Sequence, residues 1–151
     1  MVALLADPPP DPPLASRLEA AFARQPFVAL LGIRLTLVEP GHVVMEMAPQ
    51  PQLTQQLGAL HAGVTTTLAD TAAGFAAMTL LDEGDDLVSV EFKVNLMAPG
   101  RGRHFRADAR VLKAGRTLTT VEARAQALQD DGQWTDYAVF LGTMITVRPR
   151  G

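Results

Sequence analysis

The chain has no cysteine, which removes disulfides, thiolate metal sites and a cysteine nucleophile from consideration. Nothing argues for an oxidising compartment, so a cytoplasmic location is the default expectation. Positive charge is scarce as well. Thirteen Lys and Arg stand against 16 Asp and Glu, a net charge of -3. No general attraction to nucleic acid is expected, and an anionic ligand would need a local cluster of cations.

Long uninterrupted apolar runs are also lacking. The longest low-charge stretch, residues 59–81, holds His61, Asp70 and five threonines, with small residues where lipid-facing bulk would be needed. That pattern argues against a membrane span. The apolar opening, residues 1–6, has no basic lead and is cut off by Asp7-Pro8-Pro9-Pro10-Asp11-Pro12-Pro13, so it makes a poor signal peptide. Residues 1–13 are expected to form an extended, flexible, proline-rich lead. His42, His61 and His104 are far apart without metal-ligand spacing, and no serine sits in a nucleophile-elbow pattern. Metal-dependent and serine hydrolysis are therefore not expected. Gly100-Arg101-Gly102 precedes a strand and not a helix, which is the wrong context for a dinucleotide loop.

What the sequence does have is enough apolar material for one core: 151 residues, 48% of them hydrophobic, which suits one domain over residues 14–151. Leu14, Leu18, Ala21 and Phe22 recur at helical spacing behind Ser16, predicting a short amphipathic helix that ends before Pro26. Residues 32–38 and 42–48 read as a β-hairpin about Glu39-Pro40-Gly41. After Gly58, small and apolar residues continue for more than twenty positions without proline, the pattern of a long buried helix. From Val88 the period becomes two, with Val88, Val90, Phe92, Val94 and Leu96 on one face and Ser89, Glu91, Lys93 and Asn95 on the other. Three further strands follow, over residues 105–111, 117–128 and 137–147. One long helix on one antiparallel sheet is an α+β architecture. A single helix cannot cover six strands, so a second copy is expected against the sheet or its edge.

Asp70 is the most informative residue. It interrupts Val64-Thr65-Thr66-Thr67-Leu68-Ala69 and Thr71-Ala72-Ala73-Gly74-Phe75, where a carboxylate loses hydration and no cation at helical spacing offsets the loss. Either it points to solvent or bonds a threonine hydroxyl, or function keeps it there. Upstream, Leu60-His61-Ala62-Gly63 lies where a loop becomes the helix. The first backbone N–H groups of a helix are unpaired and suit the polarisation of a carbonyl or an oxyanion, and small residues at 62 and 63 let a substrate approach. His61 fits a positioning role better than proton transfer. Eight residues separate Ala62 from Asp70, ~12 Å of helical rise, so one carbonyl cannot meet both on the same helix. A site using both would draw them from different subunits.

These residues resemble the phenylacetate-degradation type of hotdog-fold thioesterases, whose signature is His-Gly-Gly followed by an acidic residue inside an apolar helix. The likeness rests on Leu60-His61-Ala62-Gly63, Leu68-Ala69-Asp70 and Ala73-Gly74. It extends to Val88-Ser89-Val90-Glu91-Phe92 and to residues 111–118, covering roughly residues 30–147. The resemblance implies a hotdog fold, a long central helix wrapped by an antiparallel sheet of about six strands. It implies a homodimer or homotetramer that hydrolyses an acyl-CoA without a cofactor, with the active site shared between subunits. Asp70 would be nucleophile or general base, and the Ala62 N–H of the opposite subunit would polarise the thioester carbonyl. Gln55 matches an Asn or Gln near the thioester and its attacking water, and Ser89 a serine that assists hydrolysis in some members. His61 and Gly63 would help hold the substrate.

Arg101, Arg103, Arg106, Lys113 and Arg116 form a basic stretch able to receive the phosphates of coenzyme A, with a solvated strand face as the plain alternative. Ala62 departs from the family's first glycine; it still supplies the N–H, but its methyl narrows the approach. Two other activities fit the fold less well. A hotdog hydratase would place an aspartate and a histidine closely together in one segment, unlike Asp70 and His61. A non-catalytic acyl-CoA-binding domain is the alternative from another class.

Overall fold

A computed structural model describes residues 12–148 of the chain. Most of the proline-rich lead therefore lies outside the described residues, but its last two prolines do not. Helix α1 (Pro12–Ala23) begins on them, two residues earlier than the apolar spacing implies, since proline at the start of a helix gives up only an N–H with no intrahelical partner. A short helix not anticipated from the sequence, α2 (Pro26–Leu30), follows, again with proline in its first turn. The rest runs in the expected order: β1 (Arg34–Glu39), β2 (His42–Met47), a 3-10 turn at Pro51–Leu53, α3 (Ala62–Met78), β3 (Asp86–Leu96), β4 (Phe105–Ala114), β5 (Leu118–Leu128) and β6 (Trp134–Val147). Gly41 closes the first hairpin with φ of 73°, a conformation that Pro40 before it cannot adopt.

The six strands form one antiparallel sheet in the order β1-β2-β4-β5-β6-β3, and α3 packs across β2, β4, β5, β6 and β3. Small side chains on both surfaces make this close approach possible. Ala69, Ala72, Ala73, Ala76 and Ala77 of the helix and Ala107, Ala109, Ala123, Ala125 and Ala127 of the sheet are all buried. Larger side chains, among them Leu68, Phe75, Met45, Phe140 and Met144, fill the space around them. Helix α1 closes one end, where Phe22 meets Phe75 edge-on with centroids 5.8 Å apart. From the same helix Arg17 donates to the carbonyls of Met78 and Leu81 at 3.1 Å each, which neutralises the negative end of α3. This is the α+β hotdog arrangement. No helix among the described residues is long and apolar enough to cross a membrane.

Strand β3 departs from the expected alternation. The register along β6 slips between Ser89 and Glu91, so that Ser89 pairs with Met144 and Glu91 with Thr143. A bulge of this kind places two residues opposite one and reverses which side chains face inward. Beyond it Phe92, Val94 and Leu96 oppose Gly142, Phe140 and Ala138 on the helix side, as the alternation predicts for them. Before it the faces exchange: Ser89 points at the helix, while Val88 and Val90 are each 55% exposed.

Candidate functional site

Asp70 sits midway along α3 on the side that faces β3. The Ser89 hydroxyl donates to its Oδ1 at 2.7 Å and lies 3.3 Å from the Met144 sulfur. Burial raises the Asp70 carboxyl above the ordinary carboxylate range, and the Ser89 hydrogen bond opposes that rise. A carboxylate in this setting holds a proton more readily than one in water, which suits a group that must take one. Asp70 and Ser89 open into a cleft of about 250 Å3 between α3 and β3, with Gly74, Met78 and Leu87 along it.

The other half of the predicted constellation lies at the start of α3. His61 is the N-cap residue: its Nδ1 accepts from the Gly63 N–H at 2.9 Å, so its remaining proton is on Nε2. The glycine at 63 is explained by this cap, because a Cβ there would stand 3.1 Å from His61 Nδ1. Ala62 is the first residue of the helix, and its N–H, lying in the first turn, has no intrahelical acceptor. It borders a separate cleft of about 390 Å3, shared with Gln55, Leu60, Thr65, Leu96, Tyr137 and residues 97–100. Gln55 reaches it from a tight turn in which the Gly58 N–H donates to the Gln55 carbonyl at 2.9 Å and the Leu57 N–H to Gln55 Oε1. The structure thus brings Asp70 together with Ser89, and Ala62 with Gln55, but leaves the two pairs in different clefts of one chain.

The basic residues are divided too. Arg101 donates to the Leu57 carbonyl at 2.5 Å, and Arg103 donates to the Gln129 carbonyl at 3.1 Å and pairs with Asp130 at 3.4 Å. Arg101 directly follows Gly100, which lines the Ala62 cleft, and itself lines a neighbouring cleft with Gly58, Leu60 and Gly100. Arg116 and Lys113 lie at the far end of β4, ~33 Å away along ten residues of strand. Arg106 is engaged in between, over the Trp134 ring at 4.2 Å and donating to Gln126 Oε1 at 2.6 Å. The five cations therefore do not form one cluster within a single chain.

Tyr137 and Thr65 were not identified from the sequence as site residues. Both are buried, both line the Ala62 cleft, and their hydroxyls stand 3.3 Å apart. Burial pushes the Tyr137 phenol up to about 12, so it stays a neutral hydroxyl. It is the chain's single tyrosine, set in an apolar strand, and that isolation was the available signal. Among the described residues no group of three His, Asp or Glu is placed to hold a metal ion.

Comparison with known proteins places this geometry in a family. A solved thioesterase family protein from Silicibacter pomeroyi is 40% identical, with a TM-score of 0.87 over 90% of this chain and 99% of that one. The PaaI protein of the E. coli phenylacetic acid degradation operon has the same fold, with a TM-score of 0.77 at 20% identity over 89% of this chain and 93% of that one. Human acyl-coenzyme A thioesterase 13 is 37% identical over 95 residues, 61% of this chain and 66% of its own length. The match thus spans just under two thirds of that relative. The model of the thioesterase superfamily matches residues 57–132, a stretch that contains Ala62, Asp70 and Ser89, and the chain belongs to that superfamily.

Proposed function

We propose that the chain is an acyl-CoA thioesterase that works as a homo-oligomer, with each active site assembled from two subunits. The observation that carries this reading is the separation of the two half-sites. An isolated carboxylate with a serine partner occupies one cleft, and the first amide of a capped helix borders another. Neither half holds both a proton acceptor and a carbonyl-polarising donor, and a second copy supplies the missing half to each.

The oligomer would form through β3. This strand is at the edge of the sheet, is eleven residues long and exposes Val88, Val90, Phe92 and Leu96. An apolar edge of that length is a template for pairing with another strand. In the assembled site the Ala62 N–H donates to the thioester carbonyl oxygen, helped by Gln55, while Asp70 of the opposite subunit takes a proton from water. The resulting hydroxide adds to the carbonyl carbon, the C–S bond breaks and CoA leaves as a thiolate that is then protonated. Direct attack by Asp70, through an anhydride that water opens, uses the same geometry. Ser89 holds the carboxylate, and His61 with Gly63 fixes the helix start. Arg101, next to the Gly100 that lines the Ala62 cleft, with Arg103 and with Arg116 from a neighbouring hairpin, are the cations available to the CoA phosphates.

The test is Asp70→Asn, assayed by release of CoA from a panel of acyl-CoAs. Turnover is expected to fall about a hundredfold or more, the scale of losing a general base, with oligomer size unchanged. Mixed oligomers of that variant with one blocked at Ala62, such as Ala62→Pro, should regain part of the activity, because one of their sites is intact. Wild-type turnover by Asp70→Asn overturns the assignment. Acyl-CoA binding without hydrolysis by the unsubstituted protein would establish a binding domain instead.

A further inference from the structure

Gln55 borders the Ala62 cleft from a segment with little to hold it. Residues 54–60 form a miniature hairpin. Thr54 bridges Leu60, the Gln55 N–H donates to the Ala59 carbonyl at 2.9 Å, and Gly58, with φ of 78°, closes the loop in the left-handed conformation that short hairpin loops favour. Ala59 and Leu60 are buried, whereas Gln56, Leu57 and Gly58 at the tip are exposed. A hairpin of this size buries too little to be rigid by itself.

The connection from β3 to β4, residues 97–104, supplies what the hairpin lacks. Its own backbone is fixed: the Arg103 N–H donates to the Leu128 carbonyl at 2.8 Å, the Gln129 amide donates to the Arg101 carbonyl at 3.1 Å, and a Cβ at Gly102 would stand 2.7 Å from the Leu128 oxygen. From this platform the Gly100 carbonyl accepts from the Leu60 N–H at 2.9 Å, at the root of the hairpin. The Arg101 guanidinium donates to the Leu57 carbonyl at 2.5 Å, at its tip. Among the described residues, this arginine bond is the only hydrogen bond that residues 55–58 make outside the hairpin.

Leu57 is where this hold meets the chemistry. Its carbonyl takes the arginine, and its N–H donates to Gln55 Oε1. With Oε1 occupied, the Gln55 NH2 is the end free to donate to a substrate oxygen. Building on the thioesterase reading above, we infer that Arg101 is a positioning residue for Gln55: acting through Leu57, it holds the side-chain amide where its NH2 joins the Ala62 N–H on the thioester carbonyl oxygen. A charged donor suits the task, because its hydrogen bond is stronger than a neutral one. A phosphate contact by the same guanidinium would act on the far end of CoA, and on binding more than on turnover.

The experiment takes the acyl group that the panel hydrolyses fastest and offers it both as the CoA thioester and as the pantetheine thioester, which carries no phosphate. Arg101→Met keeps an apolar stem without the donor, and Arg101→Lys keeps the charge and an N–H. Gln55→Ala removes the amide, alone and combined with Arg101→Met, and oligomer size is recorded for each variant. Arg101→Met should lower kcat about tenfold, within the range that a displacement of about 1 Å costs, and by the same factor for both thioesters. Arg101→Lys should restore part of that loss, and Arg101→Met should cost nothing further once Gln55 is alanine. A loss confined to KM for the CoA thioester would make Arg101 a phosphate ligand and overturn the inference. So would factors that multiply in the double variant, an unchanged kcat in Arg101→Met, or a change in its oligomer size. None of these outcomes touches the thioesterase reading, which fails instead if the unsubstituted protein hydrolyses no acyl-CoA of the panel.

Discussion

The Ser89 hydroxyl reaches Asp70 Oδ1 at 2.7 Å only because β3 carries a bulge between Ser89 and Glu91. Without it, Ser89 would share a face with Glu91 and Lys93, away from the helix.

On the proposed mechanism this contact sets the acid side of the pH profile. Burial sets the Asp70 carboxyl above the usual range and the Ser89 bond pulls it back. On the proposed mechanism the Asp70 carboxylate is the proton acceptor and is lost as pH falls, so the rate should decline on acidification at a pH above the ordinary carboxylate pKa. In Ser89→Ala the opposing hydrogen bond is gone and that acid limb should move to higher pH. A pH profile of kcat/KM for both proteins measures the shift; an unmoved or lowered limb would contradict the coupling.

Removing the Asp70 charge should also change stability in a defined direction. A carboxyl whose pKa is higher folded than unfolded binds protons more tightly in the native state, so its contribution to stability falls as pH rises through that interval. Above the folded pKa the buried charge is a net cost. Asp70→Asn can still accept from Ser89, so it should melt at the same temperature or higher at neutral pH, with the gap closing on acidification. A lower midpoint at neutral pH would show that the carboxylate contributes to the fold.

The exposed apolar edge gives a separate handle on assembly. Val90→Lys places a charge on the edge strand away from both clefts, which natural sheets use to discourage pairing. Light scattering should show a smaller species, and hydrolysis should fall in parallel because each proposed site draws on two subunits. Full activity in a monomeric variant would place the whole site within one chain.

Tyr137→Phe removes one of two buried hydroxyls in the Ala62 cleft. The 3.3 Å separation is long for an O–H···O bond, so the loss in unfolding free energy should be modest, about 1 kcal/mol. Chemical denaturation gives that value directly. A loss several times larger would mean that the phenol holds the helix start in place.

Much of this protein follows from its sequence by itself. The period-two runs, the Pro40-Gly41 turn and the proline-free stretch of small residues determine an antiparallel sheet and one long helix, because backbone periodicity and turn geometry are local properties. A carboxylate isolated among alanines and threonines marks Asp70 for the same reason, since its desolvation cost can be read from its neighbours in the chain. The separation of Ala62 from Asp70 also followed from the rise of a helix over eight residues, and the two do line different clefts.

Tertiary structure alone decided the rest. A bulge depends on how two strands distant in sequence fall into register, so the inward turn of Ser89 left no trace in the alternation of β3. Tyr137 and Thr65 are separated by 72 residues and become neighbours only when β6 lies beside the start of α3. The arginines look like one cluster in the sequence, yet a ten-residue strand carries them to opposite ends of the sheet. Contacts of this kind belong to the packing of the helix on the sheet, which no window of sequence contains.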